Sequence, residues 1–213
     1  RTDGLSATAF VNFLQNHDQV GNRAFGERIG ELADDASVQA VTAILLLAPS
    51  PPLLFMGQEW NTHRPFPFFC DFGPDLAPKV TEGRRQEFAR FPAFSDRRVR
   101  ERIPDPVAEE TFQSARLRWD EREKPDHRRW WEYVRHLLRL RQQHLTERLD
   151  TISAADSGYQ CFGESGLSVH WPFRDGGRWL LLANLGPEPV SDIRLPAGQV
   201  VVAHPGKPAA WRG

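Results

Sequence analysis

The chain has 213 residues, of which 40% are hydrophobic and 26% charged, which is an ordinary composition for a globular protein. Its formal net charge of -1 at pH 7 argues against a strongly basic surface for nucleic acid or acidic membranes. Only two cysteines occur, Cys70 and Cys161, which are too few for a disulfide framework or a thiolate metal site. We therefore expect two free thiols.

The sequence contains no signal-peptide pattern and no apolar run of membrane-spanning length. Both features indicate a cytoplasmic protein without a membrane partner. The arginines between Arg84 and Arg102 alternate with acidic residues, which predicts a solvated surface of mixed charge rather than a polyanion site.

The first part of the chain is predicted to form a strand, a helix and a second strand. An apolar run over residues 9–14 stops abruptly at the polar string 15–19, which is typical of a buried strand that ends in a polar loop. A helix is predicted from Asp34 or Asp35 to about Ala48, because an aspartate can cap it and apolar residues recur at helical spacing. The run Leu53–Met56 is the second strand. In a (β/α)8 barrel, polar loops at such strand ends build the active site.

The middle of the chain, residues 61–124, is rich in Pro, Phe and charge, and it predicts a long loop with short helices. One helix is expected over about 82–91. Another is expected to begin at Asp105-Pro106, with Asp105 as its N-cap, and to end near Trp119.

A long helix is predicted from Pro125 to about Leu149. Its expected inward stripe is Trp130, Val134, Leu137, Leu138, Arg141 and Leu145.

The end of the chain changes to a strand pattern. Two apolar segments, 167–173 and 179–185, flank Asp175-Gly176-Gly177, which is a hairpin signature. Further strands are predicted at 193–195 and 200–203. We therefore divide the chain into an α/β part over residues 1–149 and a small antiparallel β domain over residues 150–213.

The segment Asn16-His17-Asp18 directly follows the first predicted strand. Such a set can hydrogen-bond several sugar hydroxyls, and a carboxylate there can stabilise positive charge that develops on a sugar ring. An alternative is a loop in which Asp18 caps a turn and His17 packs. A metal site lacks an accompanying ligand cluster, and a Ser-His-Asp triad lacks a nucleophile elbow. From these residues alone, the sugar-binding and the turn-capping interpretations both stay open.

Asn16-His17-Asp18 resembles the fourth signature region of glycoside hydrolase family 13, the α-amylase superfamily, which lies at the end of barrel strand seven. The segment 52–60 resembles barrel strand eight of the same family at the right distance. Three longer stretches are similar to the trehalohydrolase branch: residues 13–28, residues 65–72 with 82–88, and residues 104–106 with 109–112 and 117–119. Three positions depart from that branch: Cys70 and Phe72, in Cys70-Asp71-Phe72 where Thr-Asp-His is expected, and Gln58, which replaces a frequent Glu.

This resemblance implies the C-terminal portion of a (β/α)8 barrel, namely its last two strands with helices, followed by the antiparallel β domain. It also implies retaining cleavage of the α-1,4 bond next to the terminal trehalose of a maltooligosyltrehalose, with an Asp nucleophile and a Glu general acid. By resemblance, Asp18 stabilises the transition state and His17 binds sugar hydroxyls. The resemblance further implies that the substrate is contacted by Gln19, Val20, Gly21, Asn22 and Arg23. It requires no metal and no organic cofactor.

The family's nucleophile and general acid lie on strands before the Asn-His-Asp region, whereas only 15 residues precede Asn16. A full barrel takes roughly 250 residues. We therefore expect both carboxylates, with the N-terminal barrel portion, to lie outside this chain. On this expectation the chain is inactive alone, exposes apolar strand surface and has a shortened β domain.

Two other functional interpretations compete with a trehalohydrolase. One is another family 13 enzyme, such as a branching enzyme or an amylase. The other is a non-catalytic carbohydrate-binding module over residues 150–213, which would require exposed aromatic side chains on one sheet face. Trp171 and Trp179 do not form a convincing platform of that kind. For Trp60, at the end of the second strand, packing is favoured over a substrate-side position.

Overall fold

A computed structural model of the chain describes residues 5–190 and 197–203. These residues form two compact units. One unit comprises the described residues of the ranges 1–14, 35–53 and 132–213, and the other comprises 15–34 and 54–131.

The helices are α1 (His17–Gly21), α2 (Ile29–Leu32), α3 (Asp35–Leu47), α4 (Ala77–Ala89), α5 (Arg97–Glu101), α6 (Glu109–Ala115) and α7 (Pro125–His144). The strands are β1 (Asn12–Phe13), β2 (Pro52–Leu53), β3 (Gly158–Phe162), β4 (Gly166–Pro172) and β5 (Arg178–Asn184). Short 3-10 helices cover Ala7–Ala9, Gln58–Trp60, Pro92–Phe94, Trp119–Glu123 and Thr146–Thr151. Within the described ranges, no helix has both the length and the apolar character needed to cross a membrane.

The predicted strand–helix–strand order is present as β1, α3 and β2, although the second strand is Pro52–Leu53 and not the predicted Leu53–Met56. The two strands pair in parallel, with Asn12 opposite Pro52 and Phe13 opposite Leu53. The position predicted for helix α3 is confirmed to within one residue at each end. The prediction of a buried first strand is wrong, because Phe10, Val11 and Phe13 are 42%, 57% and 40% exposed. A strand is buried only where other elements pack over both faces of its sheet, and these exposed side chains lack that cover.

Helix α7 contacts α3 at two places, through Tyr133 in the first half of α3 and through Arg141 at its C-terminal end. The Tyr133 hydroxyl donates to the carbonyl oxygen of Gln39 at 2.9 Å. The Arg141 guanidinium donates to the carbonyl oxygens of Leu46 and Pro49, each at 3.0 Å, and to those of Ala48 and Ser50. The four carbonyls bound by Arg141 lie at and just beyond the C-terminal end of α3, where a helix leaves acceptors unsatisfied.

The stripe predicted on the long helix is buried except at Leu138, which is exposed. Leu137 and Leu138 are adjacent, so they point about 100° apart around the helix and cannot both face inward. The helix also ends earlier than predicted, at His144, and a 3-10 helix follows it.

The predicted hairpin is confirmed, because β4 and β5 are antiparallel with His170 opposite Leu180. Its turn has positive φ angles at Gly176 (100°) and Gly177 (78°), a conformation that glycine adopts without steric cost. Strand β3 was not predicted; it adds to β4 with Tyr159 opposite Val169.

Two further strands were predicted at the end of the chain, over residues 193–195 and 200–203. Residues 200–203 form no strand, and that prediction is wrong: a strand needs a pairing neighbour, and the described three-stranded sheet does not pair with them. The predicted strand at 193–195 lies outside the described residues. Beneath the sheet, Leu145, Ile152 and Phe173 form a small core against which Trp171 and Trp179 pack.

The middle segment contains α4, α5 and α6. Helix α4 begins at Ala77, before the predicted start at residue 82, and ends at Ala89. The helix predicted from Asp105 to Trp119 is wrong at both ends, since α6 spans only Glu109–Ala115. Asp105 does not cap it: its Oδ1 instead accepts from the Val107 amide at 3.1 Å and the Thr81 hydroxyl at 2.6 Å. The carboxylate therefore closes a preceding turn.

Candidate functional site

The polar string after β1 folds into the short helix α1. Asn16 has extended backbone angles and caps this helix, because its Oδ1 accepts from the Gln19 amide at 2.9 Å. The capping role that was open for Asp18 therefore belongs to Asn16. His17 and Asp18 have side chains that are 70% and 73% exposed, and their Nε2 and Oδ1 atoms lie 3.3 Å apart.

The predicted site residues separate into an exposed set and a supporting set. Gln19 and Asn22 are exposed like His17 and Asp18, whereas Val20 and Gly21 are buried beneath them. Arg23 is half-buried, and its Nη1 donates to the carbonyl oxygen of Glu27 at 2.8 Å. Together these residues present a carboxylate, an imidazole and two carboxamides to solvent on one loop.

Buried polar side chains hold this loop in place from below. Gln15 is buried, and its Oε1 accepts from the Ile29 amide at 3.0 Å. At Gly26 the backbone has φ 68°, and its carbonyl oxygen accepts from the Phe66 amide at 2.8 Å. The sequence does not reveal these contacts, because Gln15 and Gly26 look like ordinary loop residues.

Arg28 is almost fully buried at the end of the same loop. Its Nε donates to the carbonyl oxygen of Arg64 and its Nη1 to that of Met56, both at 2.7 Å. Burial lowers the pKa of Arg28 to about 10, although Glu59 and Glu121 act in the opposite direction. The guanidinium thus stays protonated at neutral pH, and it joins the loop to the segments around residues 56 and 64.

Arg84, on α4, contradicts the prediction of a solvated arginine surface at that position. It is only 8% exposed, and its guanidinium carbon lies 4.7 Å from the ring centre of Phe88. Its Nη2 donates to the carbonyl oxygens of Gly21 at 2.6 Å and Arg23 at 3.0 Å. Burial lowers the pKa of Arg84, while Glu87 raises it. The available sequence signal was the spacing of four residues to Phe88, which places both side chains on one helix face.

Trp60 lies in the core of this unit rather than at a surface. Its side chain is fully buried, and its ring centre is 5.2 Å from that of Trp119. The neighbouring Gln58 carbonyl oxygen accepts from the Trp130 indole at 3.1 Å. In this structure Trp60 therefore packs, as the sequence favoured, and presents no face to a sugar ring.

The exposed loop has the chemistry to bind sugar hydroxyls. Carboxylate oxygens accept, carboxamides both donate and accept, and the imidazole can do either. A single carboxylate also suits charge stabilisation at a sugar ring. Retaining hydrolysis requires in addition two carboxyl groups about 5 Å apart on either side of the bond.

Comparison with known proteins identifies relatives along nearly the whole chain. The malto-oligosyltrehalose trehalohydrolase of Deinococcus radiodurans is 38% identical over 203 residues, covering 92% of this chain and 32% of the relative. The enzyme of the same name from Mycobacterium tuberculosis (strain H37Rv) is 32% identical over 192 residues, covering 88% of this chain and 31% of the relative. The chain thus spans about a third of the length of these curated relatives.

Two further comparisons concern the fold and the end of the chain. A crystal structure of an alpha-amylase candidate from Salmonella typhimurium superimposes with a TM-score of 0.88 at 38% identity, covering 98% of this chain and 34% of that one. A family described as a domain of unknown function, DUF3459, matches residues 154–213, which include β3, β4 and β5. Over nearly its whole length the chain is therefore similar to about a third of the length of the proteins named malto-oligosyltrehalose trehalohydrolase, which fits a C-terminal fragment of a glycoside hydrolase of family 13.

Proposed function

We propose that the protein is a retaining glycoside hydrolase that releases trehalose from maltooligosyltrehalose. The observation that carries this proposal is the exposed His17–Asp18 pair on a loop held by buried polar side chains. The chain that carries this pair is 38% identical to a malto-oligosyltrehalose trehalohydrolase of Deinococcus radiodurans.

In the proposed mechanism, Asp18 stabilises the positive charge that develops at the reacting sugar, because its carboxylate is negatively charged and is carried by a loop whose backbone is anchored by buried side chains. His17 binds a hydroxyl of the same sugar. Gln19, Asn22 and Arg23 bind neighbouring glucose units, while Val20 and Gly21 shape the backbone that carries them.

The nucleophile and the general acid are proposed to come from sequence outside residues 1–213. On this proposal, residues 1–149 are the C-terminal part of a catalytic barrel with a long inserted segment, and residues 150–213 are its β domain. The chain alone should then be inactive, because residues that act as a unit in catalysis fail together.

Product analysis tests this function. The full-length protein that contains these residues is incubated with maltooligosyltrehalose, and the products are separated by chromatography while proton NMR follows the anomer formed first. We expect free trehalose and a maltooligosaccharide with retained α configuration. The 213-residue chain under the same conditions serves as the control and should release nothing. Cleavage at internal bonds without trehalose would reject the proposal.

An amylase is the second candidate, because the alpha-amylase candidate from Salmonella typhimurium matches this chain at the same 38% identity as the first relative above. Linear maltooligosaccharides separate the two functions. An amylase degrades them readily, whereas a trehalohydrolase should cleave them much more slowly than the trehalose-terminated substrate. A full-length protein that binds both sugars and cleaves neither would support a binding role instead.

A further inference from the structure

Asn22 lies between two backbone carbonyl groups that are bound by one buried side chain. The carbonyl oxygens of Gly21 and Arg23 accept from the same nitrogen, Nη2 of Arg84, at 2.6 Å and 3.0 Å. The side chain of Asn22 is exposed, so the chain is fixed on both sides of a residue that faces solvent.

Arg84 is itself held firmly. Its Nη1 lies 3.3 Å from Oε2 of Glu87, and its guanidinium carbon lies 5.5 Å from the ring centre of Phe68 and 4.7 Å from that of Phe88. A planar guanidinium with several fixed donors suits this position, whereas an ammonium group would lose the stacking on both rings.

Asp18 has contacts of its own, although the Asn22 amide also donates to its backbone carbonyl oxygen at 2.9 Å. The helix that carries it is closed by the Asn16 cap and by the bond from the Val20 amide to the Asn16 carbonyl oxygen at 3.1 Å. Arg84 therefore contacts the Asn22 end of the loop and not the carboxylate end. Loss of Arg84 should loosen Asn22 and weaken the bond from its amide to Asp18, while the Asn16 cap and the Val20 bond still hold the first turn that carries Asp18.

We infer that Arg84 is a positioning residue that fixes Asn22 for binding of a glucose unit next to the reacting sugar. This inference rests on the proposed function. Because a pre-ordered contact lowers the entropy lost on binding, Arg84 acts on substrate affinity rather than on the chemical step. It assigns a role in the substrate site to α4, a helix of the middle segment.

The test compares Arg84→Lys with Arg97→Lys in the full-length protein. Arg97 is a matched control, since it is exposed and pairs with Glu101 at 2.8 Å. We expect Arg84→Lys to raise KM about tenfold, as loss of charged hydrogen bonds does, with kcat changed less than about twofold. Arg97→Lys should change neither. A fall in kcat as large as the rise in KM would overturn the inference.

A double-mutant cycle separates positioning from a general structural effect. Asn22→Ala should raise KM, and adding Arg84→Lys to it should raise KM little further, because the first change has removed the group that Arg84 positions. Fully additive effects would contradict the inference. If Arg84→Lys does not fold, Glu87→Gln replaces it in the cycle, with a smaller rise in KM expected.

Hydrogen exchange provides a readout that does not depend on activity. The amides of Asn22 and Arg23 donate to the carbonyl oxygens of Asp18 at 2.9 Å and Val20 at 3.1 Å. In Arg84→Lys, or in Glu87→Gln if Arg84→Lys does not fold, these two amides should exchange faster than in the wild-type protein. The amides of α7 should keep their exchange rates. Unchanged exchange at Asn22 and Arg23 would overturn the inference. If the wild-type protein does not release trehalose, the proposed function fails, and exchange alone still decides whether Arg84 fixes Asn22.

Discussion

At the scale of single residues, Gly26 shows how sharply the loop is specified. Its φ of 68° favours glycine, and a Cβ built there would lie 2.2 Å from the Pro67 nitrogen and 2.3 Å from the Phe66 carbonyl carbon. Both atoms belong to the backbone, which cannot move aside cheaply. A side chain at this position would therefore push residues 66 and 67 away from the loop.

Gly26→Ala should lower the free energy of unfolding by about 2 kcal/mol or more, because strain and steric overlap add. Gly83 provides the matched control, since it lies within α4 and a Cβ there meets no atom within 4 Å. Gly83→Ala should raise stability by about 0.5–1 kcal/mol through its helix propensity. Denaturant unfolding of both variants measures the two effects. The same sign for both would contradict this account of Gly26.

The sequence predicts some of these residues and not others for a physical reason. Asn16, His17 and Asp18 are adjacent, so their combination is visible in the sequence. Arg84 contacts carbonyl groups 63 and 61 residues earlier, at Gly21 and Arg23, and acidic residues surround it in sequence. Its sequence neighbourhood therefore resembles a solvated helix face, and only the fold shows that it is buried.

At the scale of elements, the C-terminal end of α3 depends on α7 and β5. Arg141 donates to four carbonyl oxygens at and beyond the last turn of α3. Trp179 donates from its indole nitrogen to the carbonyl oxygen of Leu47 at 2.8 Å. Two side chains from distant parts of the chain thus replace the water that would otherwise hydrate this helix end.

Arg141→Met should lower the free energy of unfolding by about 3 kcal/mol, because several buried carbonyl groups lose a charged donor. Arg139→Met is the matched control: Arg139 is an exposed residue of the same helix, and the change there should stay within about 0.5 kcal/mol. Thermal or denaturant unfolding compares the two. Equal effects would show that the capping of α3 adds little stability.

Elements with a strong local pattern were predicted well. Helix α3 has apolar residues at helical spacing between an aspartate and a proline-rich stop, and the β4–β5 hairpin has two apolar runs around Asp175-Gly176-Gly177. Strand β3 was missed because its short, mixed sequence lacks such a pattern, and its Tyr159 is exposed. The helix expected at Asp105 failed because that carboxylate bonds Thr81, a residue 24 positions earlier.

At the scale of the whole molecule, the two compact units interleave along the sequence. Residues 15–34 belong with residues 54–131, whereas α3 and β2 belong with the β domain. Such an exchange of segments has no local signature, so it could not be read from composition or periodicity. The side chains of Phe10, Val11 and Phe13 are apolar and exposed. This exposure is consistent with the proposed barrel, in which further strands of the full-length protein would cover them.

Whether the loop after β1 belongs to the active site is tested most directly by kcat for trehalose release by the full-length Asp18→Asn variant. We predict a fall of at least about a hundredfold, because a carboxamide cannot stabilise positive charge as a carboxylate does. Asp75→Asn is the matched control, since Asp75 is also exposed and should change kcat by less than about twofold. A correctly folded Asp18→Asn enzyme with kcat close to that of wild type would contradict the account.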